Sequence, residues 1–197
     1  MDDIDIGTDT GTAQDEPKRL AMVCWSSDLD RVWPVLILAT TGAASGLEVD
    51  VFFTFWGLRV LQRNNKRITG KNWMQKGESL VDRGGTDHLK LGKVNFGGMG
   101  TMMIKKLAKQ HKVASVTELL EMALDVGVRL HPCQMTMDLY GLTRDDFIDG
   151  LQPTLGAASF IDMAARADIT LFICGSACGC CNAKSSAAGP LALRCSC

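Results

Sequence analysis

The chain has 197 residues, of which 46% are hydrophobic and 22% charged, and its formal net charge is −1. These proportions are typical of a globular protein of about one domain with a sizeable core, and they exclude a chain dominated by one sign of charge. The near-neutral total conceals two opposed segments. Residues 1–16 contain six acidic and no basic side chains, whereas residues 59–112 contain thirteen Lys or Arg and three acids.

Features of a secreted or membrane protein are weak in this sequence. The first residues lack the basic and apolar stretches of a secretory signal, so we expect none. The apolar residues 32–47 are too few to span a bilayer; we interpret them as a buried helix that leads into a buried strand, with a membrane-embedded helix as the minor alternative. Six of the eight cysteines lie within residues 174–197, and only Cys24 and Cys133 lie in the body. This distribution favours a cytoplasmic chain with reduced thiols over a disulfide framework.

Taken in chain order, the pattern predicts strands that alternate with helices. Residues 1–17 are acidic and poor in apolar groups, which predicts a disordered tail. Residues 62–95 are basic and aperiodic, which predicts a long loop of the kind that is usually functional or mobile. Capping boxes at Ser115 and Thr143, each with an acid three residues later, predict helix starts. Predicted strands cover 19–25, 47–55, 128–132 and 168–173, and predicted helical segments cover 28–44, 57–61, 96–110, 116–126, 134–140, 143–150 and 156–167.

This alternation predicts one α/β domain, residues 18–173, in which a mainly parallel sheet is flanked by helices on both faces. Right-handed crossovers place the carboxyl ends of parallel strands at one edge of the sheet, where ligands of α/β folds bind. Cys24 and Cys133 both lie at the ends of predicted strands. We therefore expect both thiols at this edge.

Cys133 is the strongest candidate for chemistry. It lies between a predicted strand that stops at Pro132 and a short methionine-rich helix, where backbone N–H groups and the helix dipole favour a thiolate. A small buried hydrophobic role is the alternative that position alone leaves open. His131 is close in sequence, but neighbouring side chains of a strand point to opposite faces, so its help is left open. Asp138 is assigned to capping or a local salt bridge.

A second candidate is the glycine-rich entry to a helix formed by Gly97, Gly98, Gly100 and Thr101. Backbone N–H groups of such a loop can bind an oxyanion, although the Lys-Ser/Thr pair of a P-loop is missing. We predict an anion-binding loop near Cys133, with a flexible turn as the alternative.

The remaining charged and sulfur-rich segments give weaker indications. The basic segment favours an acidic protein or an anionic small substrate over nucleic acid, because only Trp73 and Phe96 interrupt it as possible stacking groups. The three histidines form no recognisable metal set. The cysteines of residues 174–197 match no common zinc spacing and predict a disordered extension, with metal or cluster binding as the alternative.

Four segments together resemble the larger members of the DsrE/DsrF-like sulfur-relay family, which often carry the label peroxiredoxin family: FFTFWGL, NFGGMGTMM, GVRLHPCQMTMDLYGL and ADITLFI. The resemblance covers residues 18–173 and is most specific in the C-Q-M-x-M-D segment that begins at Cys133. It implies a self-associating α/β domain with five or six strands. It also implies that Cys133 accepts sulfane sulfur, as a persulfide or thiosulfonate, and passes it to a TusA-like carrier or a rhodanese-like protein without a metal or organic cofactor. Met135 and Met137 could then line a soft apolar pocket around the sulfur, although core filling is the commoner role of methionine.

Two other functions stay open beside this one. A thiol peroxidase would need a resolving thiol, and in the body of the chain that role falls to Cys24. A non-catalytic oligomeric module would instead hold an anion on the glycine-rich loop and the basic segment. The leading prediction is a cytoplasmic, homo-oligomeric and sulfurtransferase-like sulfur carrier, with thiosulfate or tetrathionate as examples of its anionic sulfur donor.

Overall fold

The computed structural model describes residues 17–64, 73–74, 84–92, 98–173 and 194–195. The predicted disordered tails therefore lie almost wholly outside the described residues, as does much of the basic segment. The boundaries of the domain at residues 18 and 173 stay predictions.

A parallel sheet forms the centre of the described structure. Its strand order is β3-β2-β1-β4-β5, and each neighbouring pair is parallel. The fifth strand has only two residues and lies beside β4, within the segment predicted to be a disordered extension. The strands are β1 Arg19–Cys24, β2 Glu48–Phe53, β3 Arg129–Pro132, β4 Ile169–Ile173 and β5 Arg194–Cys195.

Helical segments connect these strands in the described ranges. The α-helices are α1 Leu29–Ala44, α2 Met99–Gln110, α3 Val116–Asp125, α4 Gln134–Tyr140 and α5 Ala157–Ala165. Short 3₁₀ segments cover Phe55–Leu61, Thr86–His88 and Arg144–Asp146. The prediction of an α/β domain with a mainly parallel sheet is confirmed.

Apolar residues pack on both faces of the sheet, as expected for parallel strands whose side chains are buried on either side. On one face α1 and α3 cover a large cluster that includes Met22, Val51 and Leu130. On the other face α5 covers a smaller cluster formed by Ala21, Val23, Phe52, Cys133 and Phe160. The rings of Phe52 and Phe160 stack with centroids 4.8 Å apart. The expected cover of helices on both faces is therefore present.

Local signals in the sequence predict most element boundaries to within two residues. Ser115 and Glu118 form the predicted capping box at the start of α3. Helix α1 begins after Asp28 rather than after Ser27. Strand β2 ends at Phe53, two residues before the predicted end, because Phe55 has a positive φ of 51° and starts a 3₁₀ segment.

The segment after β2 approaches the end of β1 closely at Gly57. The Gly57 N–H donates to the carbonyl oxygen of Trp25 (2.7 Å) and to that of Thr54 (3.0 Å). A Cβ atom at Gly57 would lie 2.1 Å from the carbonyl oxygen of Cys24. Only glycine therefore fits where these two chain segments meet at the carboxyl edge of the sheet.

Residues 32–44 belong to α1, and residues 45–47 connect this helix to β2 rather than continue a spanning segment. Among the described residues, no helix combines the length and the apolar character that crossing a bilayer requires.

We predict that Gly57→Ala lowers the free energy of unfolding by at least about 2 kcal/mol, because the methyl group meets backbone that cannot move aside at low cost. Urea denaturation measures the loss. The matched control is Gly156→Ala, where a Cβ meets nothing within 4 Å and φ is −84°. Equal stability of the two variants would contradict the close approach.

Candidate functional site

Cys133 lies between the edge strand β3 and α4, at the carboxyl edge of the sheet. Its backbone is extended, its N–H donates to the carbonyl oxygen of Phe53 (3.0 Å), and its own carbonyl accepts from Met137 (3.1 Å) to begin α4. The residue is only 3% exposed. The start of α4 was expected to stabilise a thiolate at Cys133. This helix has only seven residues, so the dipole that would do so is that of a short helix.

The thiols of Cys24 and Cys133 are both free and lie on opposite faces of the sheet. Cys24 pairs in register with Phe53 on β2, and Phe53 pairs with Pro132 on β3. One whole strand therefore separates the two cysteines, which places their Cα atoms about 10 Å apart. A disulfide needs Cα atoms within about 7 Å, so Cys24 is not placed to resolve an oxidised Cys133 within one chain.

The chemical state of Cys24 also differs from that of a reactive thiol. Burial raises the pKa of Cys24 to about 12, although a hydrogen bond with the Ser26 backbone acts in the opposite direction. The thiol is therefore protonated at neutral pH, as expected for a structural cysteine.

A buried carboxylate on β2 is the centre of a charged network on the Cys133 face of the sheet. Asp50 accepts two hydrogen bonds from Arg129 (2.8 and 2.7 Å) and one from Nε2 of His131 (2.8 Å). Arg129 also reaches Glu48 (3.1 Å). Burial alone would raise the pKa of Asp50, but the hydrogen bonds from Arg129 and then His131 outweigh it and lower the pKa to about 2.

His131 lies on the same face of the sheet as Cys133, which removes the doubt raised by alternation along the strand. The two residues are two positions apart, and Phe52, which pairs in register with His131, packs against Cys133. Because the ionised Asp50 can only accept, we infer that Nε2 of His131 carries a proton, which in a neutral imidazole makes Nδ1 the acceptor. Nδ1 is buried and has no hydrogen-bond partner among the described residues.

A cavity of about 420 Å³ opens beside this network, between the sheet and α5. His131 and Leu155 line it, and Leu155 also forms a parallel bridge with Cys133. Leu155 therefore links Cys133 to the cavity that Asp50 and His131 line.

An aromatic cluster lies beyond the carboxyl ends of β1 and β2 and beside α4. Phe55 contacts Trp25, Trp56 and Tyr140, with ring centroids 6.1, 6.1 and 6.5 Å apart. The Arg59 guanidinium lies 5.6 Å from the Trp56 centroid and 5.4 Å from that of Tyr140. Trp25 and Trp56 are exposed.

Thr136 holds the strained backbone at the base of this cluster. Its hydroxyl oxygen accepts the Phe55 N–H (3.1 Å), and Phe55 has the positive φ that bulky residues rarely adopt. Thr136 belongs to α4, the helix that Cys133 starts. The sequence analysis missed this contact, as it missed Asp50.

The predicted anion-binding loop is only partly described. Gly97 lies outside the described residues. Gly98 is left-handed and precedes α2, and a Cβ added to it would meet nothing within 4 Å. The Thr101 hydroxyl accepts from the N–H of Leu91 (3.0 Å), which ties this end of α2 to residues 84–92. Anion binding at Gly98, Gly100 and Thr101, and its expected proximity to Cys133, stay predictions.

The structure also describes Asp138, Met135 and Met137, to which the sequence analysis gave roles near Cys133. Asp138 accepts a hydrogen bond from Nε2 of Gln134 (2.9 Å), which is a local contact but neither the helix cap nor the salt bridge that was expected. Met137 is buried in the core on the α1 side, whereas Met135 is exposed, so the two methionines do not line one pocket. Within the described ranges, no group of three or more His, Cys, Asp or Glu side chains is arranged to hold a metal ion.

Comparisons with known proteins agree with this architecture. The sequence model described as the DsrE/DsrF/DrsH-like family matches residues 16–172. The chain is 38% identical over 163 residues to "Sulfur carrier protein DsrE2" of Allochromatium vinosum, covering 80% of this chain and 99% of that protein. It is 36% identical over 159 residues to "Uncharacterized protein YrkE" of Bacillus subtilis, covering 81% and 99%. The crystal structure of the ychN protein from E. coli has the same fold, with a TM-score of 0.50 at 14% identity, covering 79% of this chain and 99% of that one.

We predict that acid weakens the fold through Asp50. The folded-state pKa of about 2 lies below the ordinary aspartate pKa of 3.8, so this stabilisation is present above about pH 4 and is lost as pH falls towards 2. The loss is about 2 kcal/mol in free energy of unfolding. Denaturation at a series of pH values measures it. Asp50→Asn should flatten the dependence in this range, whereas Asp162→Asn, at an exposed pair with Arg166, should leave it unchanged.

Proposed function

Because the chain belongs to the DsrE/DsrF/DrsH-like family, we propose that it is a sulfurtransferase-like sulfur carrier that accepts sulfane sulfur on Cys133 and passes it to a partner thiol protein. One relative carries the name sulfur carrier protein. The observation that carries the choice of residue is the contrast between the two described thiols. Cys24 is buried with its pKa raised to about 12, whereas Cys133 lies at the carboxyl edge beside a buried imidazole.

The chemistry of this function is thiol exchange at sulfur. The Cys133 thiolate attacks the outer sulfur of a donor persulfide or the outer sulfur of thiosulfate, and the donor leaves as its thiolate or as sulfite. A second exchange with the acceptor thiol returns Cys133 to its free form. The residue is only 3% exposed, so each exchange includes a local opening around Leu155, which bridges to Cys133.

The surface around the site supports docking of a protein partner. Trp25, Trp56, Met135 and Leu139 are exposed and follow the carboxyl ends of β1, β2 and β3. Apolar side chains, aromatic ones above all, are common at the centres of protein interfaces. A TusA-like carrier or a rhodanese-like protein is the partner that we propose for this surface.

The basic segment supports an anionic sulfur donor. Residues 59–112 carry thirteen basic and three acidic side chains, an excess that attracts anions such as thiosulfate or tetrathionate. Gly98, Gly100 and Thr101, with Gly97 before them, are the proposed backbone anion site within this segment.

We predict that Cys133→Ser abolishes loading by thiosulfate, tetrathionate or a persulfide donor and leaves the fold intact, because serine is similar in size but a poor nucleophile towards sulfur. Intact mass followed by peptide mapping measures where sulfur is added. Cys24→Ala is the matched control and should load as the unchanged chain does. Undiminished loading of Cys133→Ser would assign the acceptor to another thiol.

We further predict that charge contributes to capture of the donor. The second-order rate of Cys133 modification by tetrathionate should fall as salt rises, since exposed charges are screened over about 8 Å at physiological ionic strength. A neutral disulfide of similar size serves as the control reagent and should show a flat response. Flat responses for both reagents would mean that the basic segment does not steer the donor to Cys133.

A further inference from the structure

Nδ1 of His131 lies on the Cys133 face of the sheet, and holding Asp50 in place does not explain why this buried nitrogen is there. A buried acceptor without a partner destabilises a fold, and native structures keep few of them. Nδ1 of His131 is such an acceptor among the described residues. Arg129 already binds both carboxylate oxygens of Asp50, so neutralising this carboxylate does not require a histidine.

We propose that His131 accepts the proton of the Cys133 thiol through Nδ1, and that Asp50 is the positioning residue that holds the ring by Nε2 and so orients Nδ1. A nucleophile, an imidazole and an orienting carboxylate form the general arrangement by which proteins activate weak or buried nucleophiles. The proposal rests on the proposed role of Cys133.

The strand places His131 and Cys133 on the same face of the sheet. Side chains two positions apart share a face, with Cα atoms about 7 Å apart. Both residues are nearly buried, His131 at 7% and Cys133 at 3% exposure. Nδ1 has no hydrogen-bond partner among the described residues, so the proposed transfer includes a rotation of the Cys133 side chain about its Cα–Cβ bond towards the ring. The transfer thus takes place away from bulk water, where a thiol without a base stays protonated.

The loading step balances with this assignment. The thiol proton passes to Nδ1, and the Cys133 thiolate forms a bond to the outer sulfur of a donor persulfide R–S–SH. The S–S bond of the donor breaks, and its electron pair leaves on RS⁻, which takes the proton from the imidazolium. The products are Cys133–S–SH and R–SH, so no oxidant or reductant is required.

The charged groups around the His131 ring balance one another, so the hydrogen bond to Asp50 is the contact that decides how the ring is held. The residues that line the same cavity present three guanidinium groups and three carboxylates, whose formal charges cancel. They are Arg19 from β1, Glu48 and Asp50 from β2, Arg129 from β3, and Asp162 and Arg166 from α5.

The test is the pH profile of Cys133 alkylation by iodoacetamide in the full chain, followed by peptide mass spectrometry. His131→Gln keeps a donor for Asp50 but offers no basic nitrogen. We expect the Cys133 rate to fall about tenfold at neutral pH and to match the unchanged chain at alkaline pH, where the thiol ionises without a base. His88→Gln is the matched control and should leave the profile unchanged. An identical profile for His131→Gln and the unchanged chain would overturn the proposal.

A second measurement uses the native sequence, in case His131→Gln does not fold. The ring signals of His131 are titrated by NMR with Cys133 free and with Cys133 alkylated. A proton shared by the two groups makes the titration curve of His131 change on alkylation, whereas an unchanged curve overturns the proposal. Both measurements work without a sulfur donor, so failure of sulfur loading and failure of the His131 assignment are distinguishable.

Discussion

The buried carboxylate of Asp50 is the constraint on which the position of the site depends. Strand β3 has four residues, and its recorded strand partner is β2. The hydrogen bonds from Arg129 and His131 to Asp50 add side-chain bonds to this short ladder. A slip of one residue would turn both partners to the opposite face and leave a buried charge without them, which is strongly destabilising. The buried charge of Asp50 therefore fixes the register that places Cys133 beside the end of β2.

The sequence predicts the elements well where the signal is local. The capping box at Ser115 and the short helix Gln134–Tyr140 depend on residues within one or two turns, and the structure has both. The alternation of apolar strands with helices likewise predicts the parallel sheet. The position of Cys133 at the end of a strand follows from the same local pattern, because Pro132 and the methionine-rich helix flank it.

The charged network on the Cys133 face could not be predicted in this way, because its members are distant from one another in sequence. Asp50 and His131 are 81 positions apart, and only the pairing of β2 with β3 brings them together. A signal was nevertheless present. Asp50 lies between the apolar residues Val49 and Val51 of β2, and a charge in such a position needs a partner when it is buried. The glycine-rich start of α2 shows the same limit. Its local pattern suits the left-handed Gly98 before the helix, but it does not predict which side chains lie next to it.

The placement of the two thiols on opposite faces of the sheet bears on how long a bound sulfur atom persists. A persulfide beside a second thiol in the same chain decays when that thiol attacks the inner sulfur, which forms a disulfide and releases hydrogen sulfide. Cys24 cannot make this attack, because a strand lies between it and Cys133 and its pKa is raised to about 12. For the sulfur carrier proposed above, and among the thiols that the structure describes, discharge of Cys133 is therefore left to another molecule, because the sheet keeps Cys24 away from the bound sulfur.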